Sequence, residues 1–438
     1  MTTAAEGEIL TRVGPGTLMG EMMREYWVPA VMSSELKAGG DPMRLMLLGE
    51  KLIAFRDSLG RVGIMDHRCP HRCASLFFGR NEEAGIRCAY HGWKFDVEGN
   101  CLDMPNVPSH QAFPQKIKAK AYKTFERNGL IWTYMGKRET PPPLPSFESI
   151  LLPNAEANLF IAQRECNWLQ ALEGDIDTSH FGFLHAGGVT PDVVEQGSLG
   201  RYAIMNRAPE YHVADTDWGT MYAAYRPANP GETYWRFAHF LFPFWTMPPD
   251  GQFQDHIVAR AWVPMDDTHT MFVHLSWKKN TPGLRKMKDG SPIPGAGMGM
   301  RKIPDDTGWF GRGRLAANAS NDYLIDREQQ RHHSYSGMEG IHLQDQAMTE
   351  SMGGIVDHDL EHLAISDLMI GRTRRRIIQA ARAAKEGITP PGVDNPETYQ
   401  GARGGDFIGP SSVGWLESYS NELRASVNPT GALRVAAE

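Results

Sequence analysis

The sequence has little of several features that would place it in other classes of protein. Only 5 of its 438 residues are cysteine, too few for a disulfide framework. It has no run of about 18 apolar residues and no basic start followed by an apolar stretch, so we expect no membrane span and no secretory signal. Its net charge of −7 argues against nucleic-acid binding. These absences together predict a cytoplasmic protein.

A nucleotide-binding loop is also missing. The glycine-rich stretch at Gly295, Gly297 and Gly299 lacks the final glycine of the G-x-G-x-x-G motif, and no strand pattern precedes it. A chain of this length, 41% hydrophobic, is long enough for about two or three domains. Any redox chemistry in such a chain would need electrons from a separate protein.

Two short cysteine–histidine pairs stand out in the first third of the chain. C-P-H-R contains Cys69 and His71, and C-A-Y-H contains Cys88 and His91. Ligands of this kind and spacing bind either one zinc ion or an iron–sulfur cluster. Zinc sites more often keep like ligands together, whereas a Rieske [2Fe–2S] centre has two cysteines on one iron and two histidines on the other. The mixed pairs therefore favour the Rieske centre, with zinc as the alternative.

Both pairs lie on loops between predicted strands. The strand patterns cover residues 45–48, 51–56, 61–65 and 93–97. We predict an all-β domain over residues 41–140, preceded by an arm, residues 1–40, that packs on a C-terminal domain over residues 141–438. The proline-rich stretch at residues 141–145 marks the boundary.

The C-terminal part changes from strand patterns to helix patterns along the chain. Strand-like runs occupy residues 155–277, and helical periodicity follows at residues 321–330, 344–352 and 359–385. This order predicts an antiparallel sheet followed by helices, and hence an α+β chain as a whole.

A second group of candidate ligands lies in the stretch D-I-D-T-S-H-F-G-F-L-H. Asp177 can contact His180, because positions three apart share a helix face. His185 lies about 140° from that face on an ideal helix, so the two histidines converge only if the helix ends or bulges, and Gly182 is the obvious place. With a later carboxylate they would form the 2-His-1-carboxylate triad of mononuclear iron(II). A buried helix with satisfied histidines is the alternative.

The two groups of motifs together resemble the oxygenase component of the Rieske non-heme iron ring-hydroxylating oxygenases, in particular the phthalate 4,5-dioxygenase group. The resemblance implies an N-terminal Rieske domain and a catalytic domain of the helix-grip type. It assigns the [2Fe–2S] cluster to Cys69, His71, Cys88 and His91, and the mononuclear Fe(II) to His180, His185 and Asp345. Asp322 and Asp326 are rivals for the third iron ligand, and Asp345 is preferred because it falls in the family's pattern. Relatives usually carry glycine at the position of Cys73.

The resemblance also implies partners and an assembly. It predicts an NADH-dependent reductase with flavin and iron–sulfur centres, and a head-to-tail homotrimer or a hexamer of trimers. Asp177 would be a catalytic bridge that accepts hydrogen bonds from His180 of its own chain and from His91 of the neighbour.

The expected reaction is dihydroxylation of a phthalate-like aromatic acid by O₂. Arg207 and Arg236 are the candidate cations for the substrate carboxylate, because a guanidinium grips a carboxylate with two hydrogen bonds. Each could equally be a surface arginine. A monooxygenase or O-demethylase acting on a substituted benzoate is the alternative within the family.

Two alternatives lie outside the family. His358, Glu361 and His362 fit the H-x-x-E-H motif of a zinc peptidase at the start of the predicted helix 359–385, but a third ligand is missing. A non-catalytic electron carrier or zinc-stabilised binding module would need only the two cysteine–histidine pairs. It would leave some 300 further residues without a role.

Overall fold

The computed structural model describes residues 2–195, 197–281, 283, 286–297 and 299–431. Its N-terminal part is built mainly from short strands. The helices are α1 (Ala4–Thr11) and α2 (Leu18–Arg24), and the strands are β1 (Trp27–Met32), β2 (Met43–Leu47), β3 (Glu50–Arg56), β4 (Val62–Asp66), β5 (Arg80–Glu82), β6 (Gly85–Arg87), β7 (Lys94–Phe95), β8 (Cys101–Asp103), β9 (Ala121–Arg127) and β10 (Leu130–Tyr134). They form a six-stranded antiparallel sheet, β1-β10-β9-β4-β3-β2, and a four-stranded one, β5-β6-β7-β8. The predicted all-β N-terminal domain is confirmed.

The small sheet positions the two cysteine–histidine pairs. One pair precedes β5 and the other follows β6, and Arg80 at the start of β5 pairs with Arg87 at the end of β6, so both loops lie at the same end of the small sheet. A separate apolar core beneath these loops holds them, and its largest members are Phe55, Met65, Leu76, Ile86, Trp93 and Phe95. Side-chain packing therefore holds the loops in place, although their backbones form few of the regular hydrogen bonds of a β-sheet.

The N-terminal arm packs on the C-terminal domain through its two helices. Trp168 donates its indole hydrogen bond to the carbonyl of Leu10, at 3.1 Å, and Asn167 donates to the carbonyl of Thr11, at 2.9 Å. Strand β1, which the sequence prediction assigned to the arm, instead pairs with β10 at the edge of the large N-terminal sheet. Its apolar side chains are buried on both faces, which a free arm could not provide.

The C-terminal domain combines one large antiparallel sheet with helices. Its elements are α3 (Glu148–Leu151), β11 (Ala157–Arg164), α4 (Trp168–Asp175), α5 (Gly200–Met205), β12 (Glu210–Thr216), β13 (Gly219–Pro227), β14 (Glu232–Leu241), β15 (Trp245–Met247), β16 (Val258–Pro264), β17 (Thr270–Trp277), α6 (Arg327–His332), α7 (Ile341–Ser351), α8 (Leu368–Lys385), β18 (Gly405–Pro410) and α9 (Trp415–Ala425). The strand order is β11-β17-β16-β15-β14-β13-β12, with β18 beside β14. Helix α4 contacts β15, β16 and α7, and α8 crosses β12 and β13. This is the predicted α+β arrangement.

The predicted helix 359–385 is wrong in its first part. Helix α8 begins only at Leu368, and two single 3₁₀ turns, His358–Leu360 and Ile365–Asp367, precede it. Asp357 and Asp367 accept hydrogen bonds from nearby backbone amides, and such local bonds compete with helix formation. The H-x-x-E-H residues are therefore not on a helix, which removes the geometry that a zinc peptidase needs.

The predicted helix 321–330 is also divided. Residues Ala319–Leu324 form a 3₁₀ segment. Asp326 caps the N-terminus of α6, because its side chain accepts hydrogen bonds from the backbone N–H groups of Glu328 and Gln329. In the described part of the chain, no helix has both the length and the apolar character needed to cross a membrane.

Candidate active site and metal centres

The two loops of the N-terminal domain share one backbone conformation. In each, the fourth residue after the cysteine donates its N–H to the carbonyl of that cysteine: Cys73 to Cys69, at 2.9 Å, and Gly92 to Cys88, at 3.0 Å. This fourth residue has a positive φ in both loops, 59° at Cys73 and 79° at Gly92. Glycine suits that conformation, and a side chain there costs about 1 kcal/mol. Cys73 thus occupies the position equivalent to Gly92.

The four side chains on these loops are compatible with a Rieske cluster. Cys69 and Cys88 are buried, whereas His71 and His91 are partly exposed with ring centroids 4.5 Å apart. His71 stacks on Trp93 at 4.3 Å, which fixes its ring plane. Burial raises the pKa of the Cys69 thiol to about 12, so its thiolate needs a bound cation. Two inner thiols and two outer imidazoles fit a cluster whose histidine iron faces the surface.

A π-helical turn brings the two histidines of the second group together. Residues Phe181–His185 form this turn, and the N–H of Ala186 donates to the carbonyl of Phe181, at 3.0 Å. The wider turn leaves His180 Nε2 and His185 Nε2 only 3.1 Å apart. Gly182 lies inside it, where a Cβ would meet Arg207 Cγ at 3.0 Å. The bulge expected from the sequence is present, and it takes the form of a π turn.

Asp345 on α7 completes a three-ligand group with the two histidines. Its Oδ1 atom lies 3.1 Å from His185 Nε2 and 3.6 Å from His180 Nε2. The three ligand atoms lie within 4.8 Å of one another. The rival carboxylates Asp322 and Asp326 are exposed and lie outside this group.

The donor set fits a metal ion and little else. His180 Nδ1 lies 3.2 Å from Asp177 Oδ2, and His185 Nδ1 lies 2.7 Å from Gln344 Oε1, so each Nδ1 donates its proton and each Nε2 carries a lone pair. Two lone pairs at 3.1 Å repel unless a cation lies between them. Ligand atoms at right angles around one metal, each about 2.1 Å away, are about 3.0 Å apart. Two of the observed separations, both 3.1 Å, match this arrangement, and the distance from Asp345 Oδ1 to His180 Nε2 is longer, at 3.6 Å.

Hydrogen bonds from neighbouring residues stabilise the negative charge of Asp177, on the outer side of this group. Besides His180, it accepts hydrogen bonds from the backbone N–H and the hydroxyl of Ser179, at 2.6 and 2.7 Å. Burial alone would raise the pKa of Asp177, but His180 and Ser179 lower it below its usual value. Without a metal ion, the hydrogen bond to Asp177 and the charges of Asp177 and Asp345 outweigh burial and raise the pKa of His180, so a metal ion would displace a proton from Nε2. Asp177 therefore orients His180 as an ionised carboxylate.

A cavity of about 110 Å³ lies on one side of the triad. Aromatic side chains, Phe160, Phe181, Trp262 and Phe272, line it together with charged ones from arginine and aspartate residues. On the outer side lies an open groove of about 670 Å³, whose apolar lining includes Phe183, Tyr335, Met348, Met352 and Leu363. Asp177, His180 and Asp345 border both spaces. The triad thus separates an interior cavity from a surface groove.

The two predicted substrate arginines lie in different places. Arg236 lines the cavity, but its Nε donates to Thr178 at 2.8 Å and its Nη1 donates to Tyr234 at 3.2 Å. Arg207 packs its guanidinium over Phe183, 5.2 Å from the ring centre, and is not among the described residues that line the cavity. The assignment of the substrate carboxylate to these two residues stays a prediction.

Sequence reasoning missed most of the polar residues that line the cavity, among them Arg164, His274 and His342. Phe160 of β11 and Arg260 of β16 pair directly with His274 of β17, which places these side chains in one row. The strands themselves were visible in the sequence. The register that turns these residues toward one space was not, because it depends on pairing across more than 100 residues.

Comparison with known proteins gives the same two-part organisation. Residues 26–118 match the Rieske [2Fe-2S] domain, and residues 133–415 match the family described as LigXa C-terminal domain like. The chain is 50% identical to the 3-chlorobenzoate-3,4-dioxygenase oxygenase subunit of Comamonas testosteroni, over 98% of this chain and 100% of that one. It is 36% identical to the phthalate 4,5-dioxygenase oxygenase subunit of Pseudomonas putida, over 88% of each.

Solved structures show the same fold at low sequence identity. The crystal structure of dicamba monooxygenase bound to dicamba is 17% identical, with a TM-score of 0.55, and the match covers 83% of this chain and 99% of that one. The match to the C-terminal family model covers more than half of the chain, and the identity of 50% extends over almost all of it. The chain therefore belongs to the Rieske non-heme iron oxygenases, as an oxygenase subunit with a [2Fe–2S] domain and a catalytic mononuclear iron domain.

Proposed function

We propose that this subunit dihydroxylates a substituted benzoate with O₂ and with electrons that a separate NADH-dependent flavin and iron–sulfur reductase delivers. One observation carries the proposal: the candidate iron triad borders a cavity whose lining combines aromatic rings with arginine side chains. The 50% identity to a 3-chlorobenzoate dioxygenase subunit favours a benzoate with one carboxylate over phthalate, since the phthalate relative is 36% identical.

The proposed roles of the residues follow from their contacts. Cys69, His71, Cys88 and His91 would hold the cluster, and His180, His185 and Asp345 would hold the iron. When bound, the cluster supplies single electrons and the iron supplies open positions for dioxygen. Asp177 and Gln344 fix the imidazoles through Nδ1 so that both Nε2 atoms point to one place. The aromatic walls exclude water and restrict how a flat ring can lie.

Oxygen uptake by the holoenzyme with a suitable reductase and NADH tests this function. The acids are 3-chlorobenzoate, phthalate, isophthalate, terephthalate and a methoxybenzoate. We expect 3-chlorobenzoate to stimulate uptake most strongly, with one cis-dihydrodiol formed for each O₂ consumed. Formation of a phenol or of formaldehyde instead would support the monooxygenase or O-demethylase alternative. If none of the acids stimulated uptake, the proposal of an aromatic acid substrate would be wrong.

A head-to-tail homotrimer is proposed as the assembly, alone or as half of a hexamer. Large apolar side chains are exposed beside the outer groove, including Leu360 and Ile365, which are 74% and 76% exposed. Such a patch on a subunit surface indicates a protein interface. Tyr90, next to His91 on the tip of the Rieske domain, is also 57% exposed. Among the described residues, Asp177 forms its side-chain hydrogen bonds with His180 and Ser179, so the proposed contact with His91 would come from a second copy.

Ile365→Asp tests the assembly, because it places a charge in the exposed apolar patch. We expect the molar mass by light scattering to fall from that of a trimer to that of a monomer at micromolar concentration. Leu59→Asp is the matched control, since Leu59 is 68% exposed on the turn between β3 and β4 and should leave the mass unchanged. An Ile365→Asp variant that remained trimeric would show that the patch is not the interface.

A further inference from the structure

Within the described part of the chain, one arginine at the cavity has no carboxylate at ion-pair distance, although its charge helps to lower the pKa of Asp345. Arg164, at the end of β11, is 1% exposed, and among the described residues no carboxylate forms an ion pair with it. Its Nη1 donates to Thr349 Oγ1 at 3.1 Å, its guanidinium lies 4.5 Å from the centre of the Trp262 ring, and its Nε has no partner. A buried charge without a counter-charge is costly.

Other buried arginines of the chain are paired with carboxylates. The pairs are Arg24 with Glu50, Arg236 with Asp406, Arg312 with Glu35, Arg374 with Glu173 and Glu361, and Arg403 with Glu148, while the half-buried Arg260 pairs with Asp175 and Asp250. Arg226 is a second buried arginine without an ion pair among the described residues, but it does not line the cavity. Arg164 is therefore an unpaired cation that borders an internal space.

Two imidazoles without partners border the same space. His274 stacks on Phe160, with ring centres 4.5 Å apart, and the ring of His342 lies 4.7 Å from that of Phe272. His274 Nδ1 and His342 Nε2 are buried and have no hydrogen-bond partner. Burial, together with the nearby Arg260, lowers the pKa of His274 to about 3, and burial lowers the pKa of His342. Both rings are therefore neutral and can donate one hydrogen bond each.

Helix α7 fixes the positions of His342 and Arg164 relative to the iron triad. His342 and Asp345 lie three residues apart on α7, and Thr349, which holds Arg164, lies on the next turn of the same helix. A carboxylate at this position would therefore be held by the helix that also supplies an iron ligand. Arg236 lines the cavity from β14, where Thr178 and Tyr234 accept two of its N–H groups and Asp406 lies 4.0 Å from Nη1.

We propose that Arg164, supported by His274 and His342, recognises the carboxylate of the substrate and so determines which ring carbons face the iron triad. This inference rests on the proposed function and identifies the part of the cavity that binds the carboxylate of the substrate. An anionic carboxylate supplies the counter-charge that Arg164 lacks and accepts hydrogen bonds from the two imidazoles. It differs from the sequence prediction, which placed this role on Arg207 and Arg236.

The test is binding of 3-chlorobenzoate and its neutral analogue 3-chlorobenzamide to the holoenzyme, measured by anaerobic titration calorimetry. Wild type should bind the acid more tightly than the amide. Arg164→Met should weaken binding of the acid by about 50-fold or more and abolish the preference for the acid, while the amide binds as before. Its melting temperature should not fall, because an unpaired buried charge is replaced by an apolar side chain of similar length.

Arg226→Met is the matched control, as another buried arginine without an ion pair, and should keep the preference for the acid. If Arg164→Met did not fold, His274→Asn would take its place, with the same expected loss of preference for the acid. Equal preference in wild type and Arg164→Met, or loss of it only in Arg207→Met or Arg236→Met, would overturn the proposal. Failure of wild type to bind any of the acids would overturn the proposed function itself, and this inference with it.

Discussion

Replacing Asp345 with alanine is expected to remove the mononuclear iron and to reduce oxygen-dependent turnover by at least about 100-fold. Asp345 is the carboxylate that completes the group with His180 and His185, at 3.6 and 3.1 Å. Two imidazoles alone leave the 2-His-1-carboxylate set incomplete. Iron analysis should show one iron atom fewer per chain, with the visible spectrum of the [2Fe–2S] cluster unchanged.

The control for this variant is Asp322→Ala, since Asp322 is the exposed rival for the third ligand. We expect it to keep both its iron content and its turnover. If instead Asp322→Ala lost the iron while Asp345→Ala kept it, the ligand assignment would have to be reversed. Normal turnover in both variants would show that neither carboxylate binds the catalytic metal.

Asp177→Asn is expected to keep both metal centres and still reduce turnover by about 10- to 100-fold. The amide has the shape of the carboxylate but no charge, so it holds His180 and the Ser179 amide less strongly. It also cannot act as a charged acceptor for His91 of a neighbouring subunit. The measurements are steady-state oxygen uptake, iron content, and the rate at which a pre-reduced sample is reoxidised when substrate and oxygen are added.

Asp217→Asn is the control for Asp177, because Asp217 is an exposed carboxylate on the turn between β12 and β13. It should behave as wild type in all three measurements. Slow reoxidation with a full iron content in Asp177→Asn would support the bridging role. Wild-type turnover in Asp177→Asn would remove Asp177 from the electron route, and loss of iron would show that it acts only by holding His180.

The sequence by itself determined the features that depend on neighbours along the chain. Within each cysteine–histidine pair, the two ligands are only two or three residues apart. The kind of metal site could therefore be recognised without any knowledge of the fold. Asp177 and His180 are also close enough for helix geometry to predict their contact, and the angle between His180 and His185 predicted the bulge between them. Strand and helix patterns likewise predicted an all-β domain followed by an α+β domain.

Sequence periodicity failed where local hydrogen bonds or distant packing decide the structure. The apolar residues before α8 have helical spacing, but Asp357 and Asp367 bond to nearby amides and the helix begins only at Leu368. Strand β1 was assigned to an arm because its partner, β10, follows it by about 100 residues. Neither outcome can be deduced from a window of neighbouring residues.

Only the tertiary structure decided which distant residues share the site. Gln344, the partner of His185, is 159 residues further along the chain, and Asp345 was assigned through a resemblance, with Asp322 and Asp326 as rivals. Arg164 and the two unpartnered imidazoles come from β11, β17 and α7, and the strand register turns them toward one cavity. A shift of one residue in that register would point the strand residues to the opposite face. Local spacing therefore pointed to the cysteine and histidine candidates, whereas Asp345 was chosen by resemblance and the residues that line the candidate substrate cavity were set by packing.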